Sequence, residues 1–388
     1  MKRLFWALAA ALMMFAPAAL AQTAQEITDT CTLSAVGKKT LGRMTDGQYQ
    51  TYWASSSGSY AYVEIEVEEA VGGLYVQFYE DIAALEVQTT DDAGAWRTVA
   101  VSGGSFLNEY IALDEGTETV RIRPKDGKGR LFIAELHVFG EGDAPDWVQQ
   151  WEAPLDKADL LALAAHPDDE LLFLGGTIPY YAGEMGRKVQ VAYLVPTMPY
   201  RRLELLDGLW LCGVKNYPMI GHFPDKYQLT LKGMYAQKGW SRESVYRFVA
   251  ETYRACRPDV VVTQDVNGEY GHGAHRAAAD AAQAAIALAA DENNQEKMTH
   301  SEPWQVKKLY LHLYEQNPVK MDWRKPLAAF GGQTAFDLAS RAFECHISQQ
   351  RTDYHVEDFG PYDNSKFGLA YSAVGEDVQK DDFFENLE

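Results

Sequence analysis

"LALAAHPDDELLFLGG" (residues 161–176) sets a histidine, a proline and three consecutive acidic residues between two apolar runs. The unbroken apolar run from Leu160 to Ala165 is what a strand requires when its parallel sheet is covered on both faces. Such sheets bind ligands outside the carboxyl ends of their strands, and His166 is the first residue past this end. Pro167 suits the first turn of a helix, where its missing N–H costs nothing. Asp168, Asp169 and Glu170 then fall at a helix N-terminus, whose dipole favours each carboxylate by roughly 0.3–1 kcal/mol. That is too little to justify three adjacent like charges beside a histidine, and a cation is the more economical explanation.

The same alternation continues downstream. "VQVAYLV" (189–195), "DVVVTQ" (259–264) and "KKLYLHLY" (307–314) are further apolar strands. Helical patterns lie between them in "RRLELLDGLWLCGV" (201–214), "SRESVYRFVAETYRACR" (241–257) and the alanine-rich "HRAAADAAQAAIALAA" (275–290). These predict an α/β, Rossmann-like three-layer domain with a mostly parallel sheet over residues 158–388. No G-x-G-x-x-G follows the first strand, so a dinucleotide cradle is missing. The acid-rich end carries "FGLAYSAVGEDV" and "DFFENLE", which is enough apolar material for ordered packing.

Upstream, residues 27–141 read as short alternating runs, among them "YAYVEIEVEEA", "GLYVQFY", "ALEVQTT" and "LFIAELHVFG", parted by glycine, serine and aspartate. Period-two alternation at this spacing predicts an antiparallel β-sandwich with one solvated face per sheet. Trp53 is expected between the sheets rather than as a sugar-stacking platform. Residues 142–157, with Pro145 and Pro154 bracketing a polar segment, read as a linker.

Lys2 and Arg3 lead an apolar stretch from Leu4 to Phe15, and Ala19-Leu20-Ala21 supplies a small-residue cleavage pattern. Residues 1–21 are therefore expected to be a signal peptide, which makes the mature protein secreted or cell-surface associated. No other run reaches the roughly 20 apolar residues of a spanning helix, so no transmembrane segment is expected in the mature chain. The formal charge of −20 becomes −22 without a leader carrying two bases and no acids. Such a field repels phosphate backbones, so nucleic acid is not an expected partner. The four cysteines form no C-x-x-C pair; export permits a disulfide, while Cys212 and Cys256 fall in helix-like patterns suited to buried thiols.

His166 and Asp169, three positions apart across a strand-to-helix turn, can present nitrogen and oxygen to one point. A catalytic zinc site needs one more ligand and an open position. "NGEYGHGAHRAAADAA" (267–282) follows the apolar strand "VVVT" and carries His272 and His275; either could complete the site and leave the other for acid–base work. Asp168, beside the metal without being needed as its ligand, stands where a general base takes a proton from water. Glu170 is expected to serve only the helix N-terminus, and His346 within "CHISQQ" to lie in the core or at the surface.

"AHPDDE" (165–170) with "YGHGAH" (270–275) resembles the zinc-dependent N-acetylglucosaminyl de-N-acetylases named for phosphatidylinositol-glycan class L and LmbE-like proteins (PIG-L/LmbE). The likeness covers about residues 158 to 350. It implies His166, Asp169 and His275 as metal ligands, Zn2+ or Fe2+ as the ion, and Asp168 as the base. It also implies Tyr270 as the group polarising the amide oxygen and His272 as an aid to the intermediate or the departing amine. Arg201 and Asp225 become candidate sugar contacts. Many relatives have proline and aspartate where Gly273 and Ala274 stand, so an acidic neighbour of the site is missing. Separately, "LGRMTDGQYQTYWAS" (41–55) resembles the discoidin, or coagulation-factor type C, family of galactose-binding-like domains, which implies a glycan ligand for the N-terminal domain.

The expected function is thus an exported deacetylase acting on an N-acetylated sugar or glycoconjugate. A non-catalytic glycan-binding surface protein with a degenerate deacetylase domain stays open on the strength of Gly273 and Ala274. A magnesium phosphoesterase fits less well, because magnesium prefers oxygen ligands over two imidazoles.

Overall fold

The computed structural model describes residues 22–36, 40–80, 84–125, 127–300, 302–350 and 353–387. The expected signal peptide, residues 1–21, lies outside them. Among the described residues no helix is long and apolar enough to cross a membrane.

The alternating N-terminal runs form β1 (Thr32–Ser34), β2 (Trp53–Ala54), β3 (Val63–Phe78), β4 (Leu85–Thr90), β5 (Trp96–Ser102), β6 (Asn108–Pro124) and β7 (Phe132–Phe139). They pair antiparallel in the order β2-β7-β3-β6-β4-β5, with β1 on β3. This is one continuous curled sheet, where the sequence predicts two separate sheets of a sandwich. The difference arises at Gly72 and Gly73, which interrupt the apolar pattern but not the strand. The β3–β6 ladder shifts register between Glu66 and Val71 and again between Val71 and Gly73, and such bulges bend and twist a strand. Glycine is needed there for close approach, because a Cβ on Gly72 would collide with the backbone of Gly140 and Glu141. The curl wraps one cluster containing Trp53, Ile65, Val87 and Ile122, and Trp53 is fully buried as expected.

The second half of β3 is buried on both faces, against the expectation of one solvated face. Part of its cover is the segment expected to be a linker. Asp143 bridges Thr23, Glu152 bridges Asn216, and Val148, Gln149 and Trp151 are buried, so residues 143–152 are packed between the two halves of the chain.

The continuous apolar runs become β8 (Leu160–Ala164), β9 (Val189–Tyr193), β11 (Val260–Thr263) and β12 (Lys308–His312), every residue of them buried. With β10 (Met219–Ile220), β13 (Pro318–Lys320) and β14 (Lys366–Ser372) they order as β10-β9-β8-β11-β12-β14-β13. The pairings from β10 to β12 are parallel, and β14 runs antiparallel to both β12 and β13. The helices are α1 (Asp169–Leu172), α2 (Pro199–Leu211), α3 (Leu231–Tyr235), α4 (Arg242–Cys256), α5 (Gly273–Ala290) and α6 (Ala335–Glu344). Leu160, Ala162 and Ala164 pack with side chains of α1, α2 and α6, while Leu161 and Leu163 pack with α4 and α5. Helices therefore cover both faces of the sheet. A reciprocal capping box of Ser241 and Ser244 starts α4, and the left-handed Arg257 (φ 44°) ends it.

The chain runs from β8 outward to β9 and β10, then returns to place β11 on the other side of β8. The carboxyl ends of β8 and β11 therefore flank a topological switch point, where open sheets leave a crevice. The C-terminal segment is ordered as predicted, with Phe383 and Phe384 buried and Asp377 paired to the buried Lys308 at 2.5 Å. All four cysteines are free, and Cys212 and Cys256 are buried.

Candidate active site

At the end of β8 the chain turns so that the backbone N–H of His166 donates to Asp169 Oδ2 at 2.8 Å, with His166 Nδ1 3.0 Å from the same oxygen. Asp168 is in the positive-φ region (φ 117°, ψ −31°), and its N–H donates to Glu170 Oε2 at 2.9 Å. A non-glycine residue held there is strained, and such strain concentrates at functional sites. The turn corrects one expectation. Pro167 precedes the helix instead of opening it, because α1 begins only at Asp169 and the Asp168 side chain leaves the helix end for Arg201. Arg201, in the first turn of α2, donates from Nη2 to Asp168 Oδ2 at 2.9 Å and to the Pro167 carbonyl at 2.6 Å. Glu170 serves the turn but not only the turn, because the fully buried His346 places Nε2 3.7 Å from its other oxygen.

The second half of the site follows β11. Gly268 (φ 66°), Tyr270 (φ 44°) and Gly271 (φ 79°) all take left-handed backbone, folding the loop back before α5 begins at Gly273. His272 caps α5: its Nδ1 accepts the Ala274 N–H at 3.2 Å. One turn in, the fully buried His275 places Nε2 3.3 Å from Asp169 Oδ2 and 3.4 Å from the Tyr270 hydroxyl. Its Nδ1 meets Glu269 Oε2 at 2.8 Å, and the other oxygen of Glu269 meets His312 Nδ1 at 2.6 Å.

These distances suit a metal ion. Two ligands on a tetrahedral zinc, each about 2.0–2.1 Å from it, stand about 3.3 Å apart. His166 Nδ1 and His275 Nε2 lie at 3.0 and 3.3 Å from Asp169 Oδ2. Three imidazoles, of His166, His272 and His275, also have nitrogens within 4.8 Å of one another. Tautomers separate them. His275 donates from Nδ1 to the Glu269 carboxylate, which leaves the Nε2 lone pair for a metal. His272 Nδ1 instead accepts a backbone N–H, so its neutral ring carries the proton on Nε2 and presents a donor, not a lone pair. His166, Asp169 and His275 therefore form the better ligand set, with His272 beside it.

Residues 161–286 form a PIG-L family domain, matching the family model described as GlcNAc-PI de-N-acetylase. A 1D-myo-inositol 2-acetamido-2-deoxy-alpha-D-glucopyranoside deacetylase of Kineococcus radiotolerans is 29% identical over 239 residues, covering 50% of this chain and 65% of that protein. The chain thus spans just under two thirds of that relative's length. Among solved structures, an N,N'-diacetylchitobiose deacetylase from Pyrococcus horikoshii is 18% identical, covering 53% of this chain and 75% of its own, with a TM-score of 0.35. An F5/8 type C domain from Bacteroides fragilis is 13% identical over 31% of this chain and 97% of its own, with a TM-score of 0.25.

In the PIG-L domain, His166, Asp168, Asp169, Arg201, Asp225, Tyr270 and His272 all line one cavity of about 160 Å³, with His275 buried behind it. Burial pushes the Asp168 carboxyl up to about 7, with Arg201 opposing and Asp169 reinforcing the rise. Burial would raise Asp169 too, but His275 and His166 outweigh it and hold that carboxyl below the usual range. His272 is depressed to about 3 by burial and by its two imidazole neighbours. Tyr270 is pushed well above its ordinary value by burial and by Asp169, so its hydroxyl keeps its proton and can donate.

The two candidate sugar contacts differ. Asp225 has a largely exposed side chain at the rim, with Oδ1 3.8 Å from His166 Nε2. Arg201 lines the cavity, but its guanidinium already holds Asp168, which gives it a role that sequence spacing did not suggest. Glu269 and His312, which orient His275, also escaped the sequence reading. Glu269 stood in plain view beside Tyr270, whereas His312 ends a strand whose apolar pattern hides it.

Proposed function

We propose that this protein is an exported, metal-dependent N-deacetylase that hydrolyses the acetamide of an N-acetylated sugar or glycoconjugate. The observation that carries this reading is the convergence of His166, Asp169 and His275 on one point, with the unliganded carboxyl of Asp168 in the same cavity. The PIG-L match over residues 161–286 supports the same chemistry.

His166, Asp169 and His275 would hold a divalent cation, Zn2+ or Fe2+ by ligand type, which when bound would supply Lewis acidity and lower the pKa of water toward neutrality. Asp168 takes the proton from the attacking water, and Arg201 fixes the direction of its carboxyl. The hydroxyl of Tyr270 and the Nε2–H of His272 both donate toward the oxygen that gains negative charge. The proton that the sugar nitrogen needs on departure comes from Asp168, which has taken it from the water and lines the same cavity. Asp225, exposed at the rim, is left to accept hydrogen bonds from sugar hydroxyls.

The test is acetate release by the purified mature chain across N-acetylated mono- and oligosaccharides, with bound metal quantified. Turnover should vanish with a chelator and return with Zn2+ or Fe2+. Turnover that persists in metal-free protein would defeat the proposal.

A further inference from the structure

A second and larger cavity, of about 880 Å³, lies between the curled sheet and the PIG-L domain. It shares no lining residue with the 160 Å³ catalytic cavity. Its polar floor is a hydrogen-bonded chain contributed by both halves of the molecule. Gln77 Nε2 donates to the Tyr49 hydroxyl at 2.9 Å, which donates to Asp207 Oδ2 at 2.7 Å. Gln149 Nε2 donates to Asp207 Oδ1 at 2.6 Å, while Gln149 Oε1 accepts from Asn108 and Trp151. Aromatic walls stand beside this floor. Trp147 meets Tyr75 edge-on at 5.8 Å between centroids and leaves 46% of its surface exposed. Trp210 and Phe330 complete the apolar surface.

Two features separate this cavity from a gap left by imperfect packing. The Tyr75 side chain lines it and is buried, yet its hydroxyl makes no hydrogen bond of ordinary length and angle among the described residues, although Gln77, Asn108 and the Gln149 backbone lie close, and a poorly paired buried hydroxyl is costly. The lining also balances charge, with Asp146 and Asp207 against Lys215 and Arg341, so it selects neither strong anions nor strong cations. Neutral ligands with one apolar face and a hydroxyl edge fit such a lining. Ring C–H groups of a pyranose pack on indole and phenol faces, and its hydroxyls pair with amide, phenol and carboxyl groups.

We propose that this interdomain cavity is a composite binding site for a neutral oligosaccharide, formed only where the two halves of the chain meet. Its volume falls within the roughly 300–1,000 Å³ of small-molecule sites, which favour domain interfaces. Helix α2 carries Arg201 in the catalytic cavity and Asp207 and Trp210 in this one; from Arg201 to Trp210 the helix rises roughly 13 Å. Binding here needs neither a metal nor Asp168, so the inference goes beyond the hydrolytic reading and stands or falls separately.

The test titrates the metal-free mature chain with a panel of neutral oligosaccharides, including triacetylchitotriose, cellotriose, maltotriose and lactose, by calorimetry and tryptophan fluorescence. At least one should bind with 1:1 stoichiometry and change the emission of Trp147 and Trp210. Tyr75→Phe, which removes only the hydroxyl, should weaken that ligand about three-fold or more. Ala329→Trp, at an exposed position on the lining, should weaken it about ten-fold or more by occupying the space. Neither variant should alter acetate release from a monosaccharide substrate in the metal-loaded protein. Binding unchanged in folded Ala329→Trp, or unchanged in Tyr75→Phe should the first variant misfold, overturns the proposal, as does a panel with no member binding below about 10 mM.

Discussion

The catalytic cavity and the interdomain cavity each hold an aspartate near α2, buried in the first and half-buried in the second, and the two carboxyls are driven in opposite directions. Asp169 meets two imidazoles, which outweigh its burial and keep it ionised. Asp207 meets only the neutral donors Tyr49 and Gln149, so burial wins and lifts its carboxyl to about 6. The physical lesson is that hydrogen bonds from neutral groups orient a buried carboxylate but only partly replace the water it has lost. The smaller cavity, at about 160 Å³ against 880 Å³, is therefore the one whose side chains could hold a cation and move a proton. Size alone points to the wrong place for the chemistry.

The sharpest way to break this contrast is to remove a carboxyl from each side. Asp168→Ala should lower kcat about 10²–10⁴-fold while elemental analysis finds the metal retained. Asp207→Asn, in the other cavity, should leave turnover within about two-fold, since Asp207 touches no group of the catalytic cavity. Equal losses in the two variants would erase the distinction.

A smaller effect is expected one layer behind the ligands. Glu269→Gln replaces the carboxylate shared by His275 and His312 with a neutral amide, and metal affinity should fall about 10–100-fold in a chelator competition. Unchanged affinity would mean that charge behind His275 is irrelevant, contrary to the reading of Asp169.

The mildest effect concerns pH. Asp207 has a folded-state pKa of about 6 against an ordinary 3.8, so the folded protein binds more protons than the unfolded chain between those values. Its contribution to stability is thus fully present below about 3.8 and is lost as pH rises through about 6. Denaturant unfolding of Asp207→Asn at several pH values should show a flatter stability profile across this window than the parent protein. An identical slope would place the titration elsewhere.

Much of this is legible in the amino-acid sequence. Continuous apolar runs marked β8, β9, β11 and β12, because strands covered on both faces carry no polar alternation. The motif after β8 and the histidine pair after β11 point to His166, Asp168, Asp169 and one of His272 and His275, since both clusters follow strand ends that a parallel sheet gathers at one edge; the choice of His275 is what the family resemblance implies. The single curled sheet is not legible there, because a glycine interrupts hydrophobic periodicity equally at a turn and at a close approach. The backbone of Gly140 and Glu141 against Gly72, and Tyr110 against Gly73, tell the two apart. The resemblance implies Arg201 as a sugar contact, and its hold on Asp168 is hidden because spacing carries no information about which acceptor a long side chain reaches.

The amino-acid order by itself determined the alternation of strands and helices, the change of period between the two halves, and the residue types able to bind a divalent ion. Tertiary structure alone decided that Asp169 and His275, remote in sequence, stand 3.3 Å apart, that Glu269 joins His275 to His312, and that Asp207 closes a cavity against the N-terminal sheet. Periodicity encodes which face of an element is apolar. Contacts between distant elements depend on how those faces pack, and no local pattern records that.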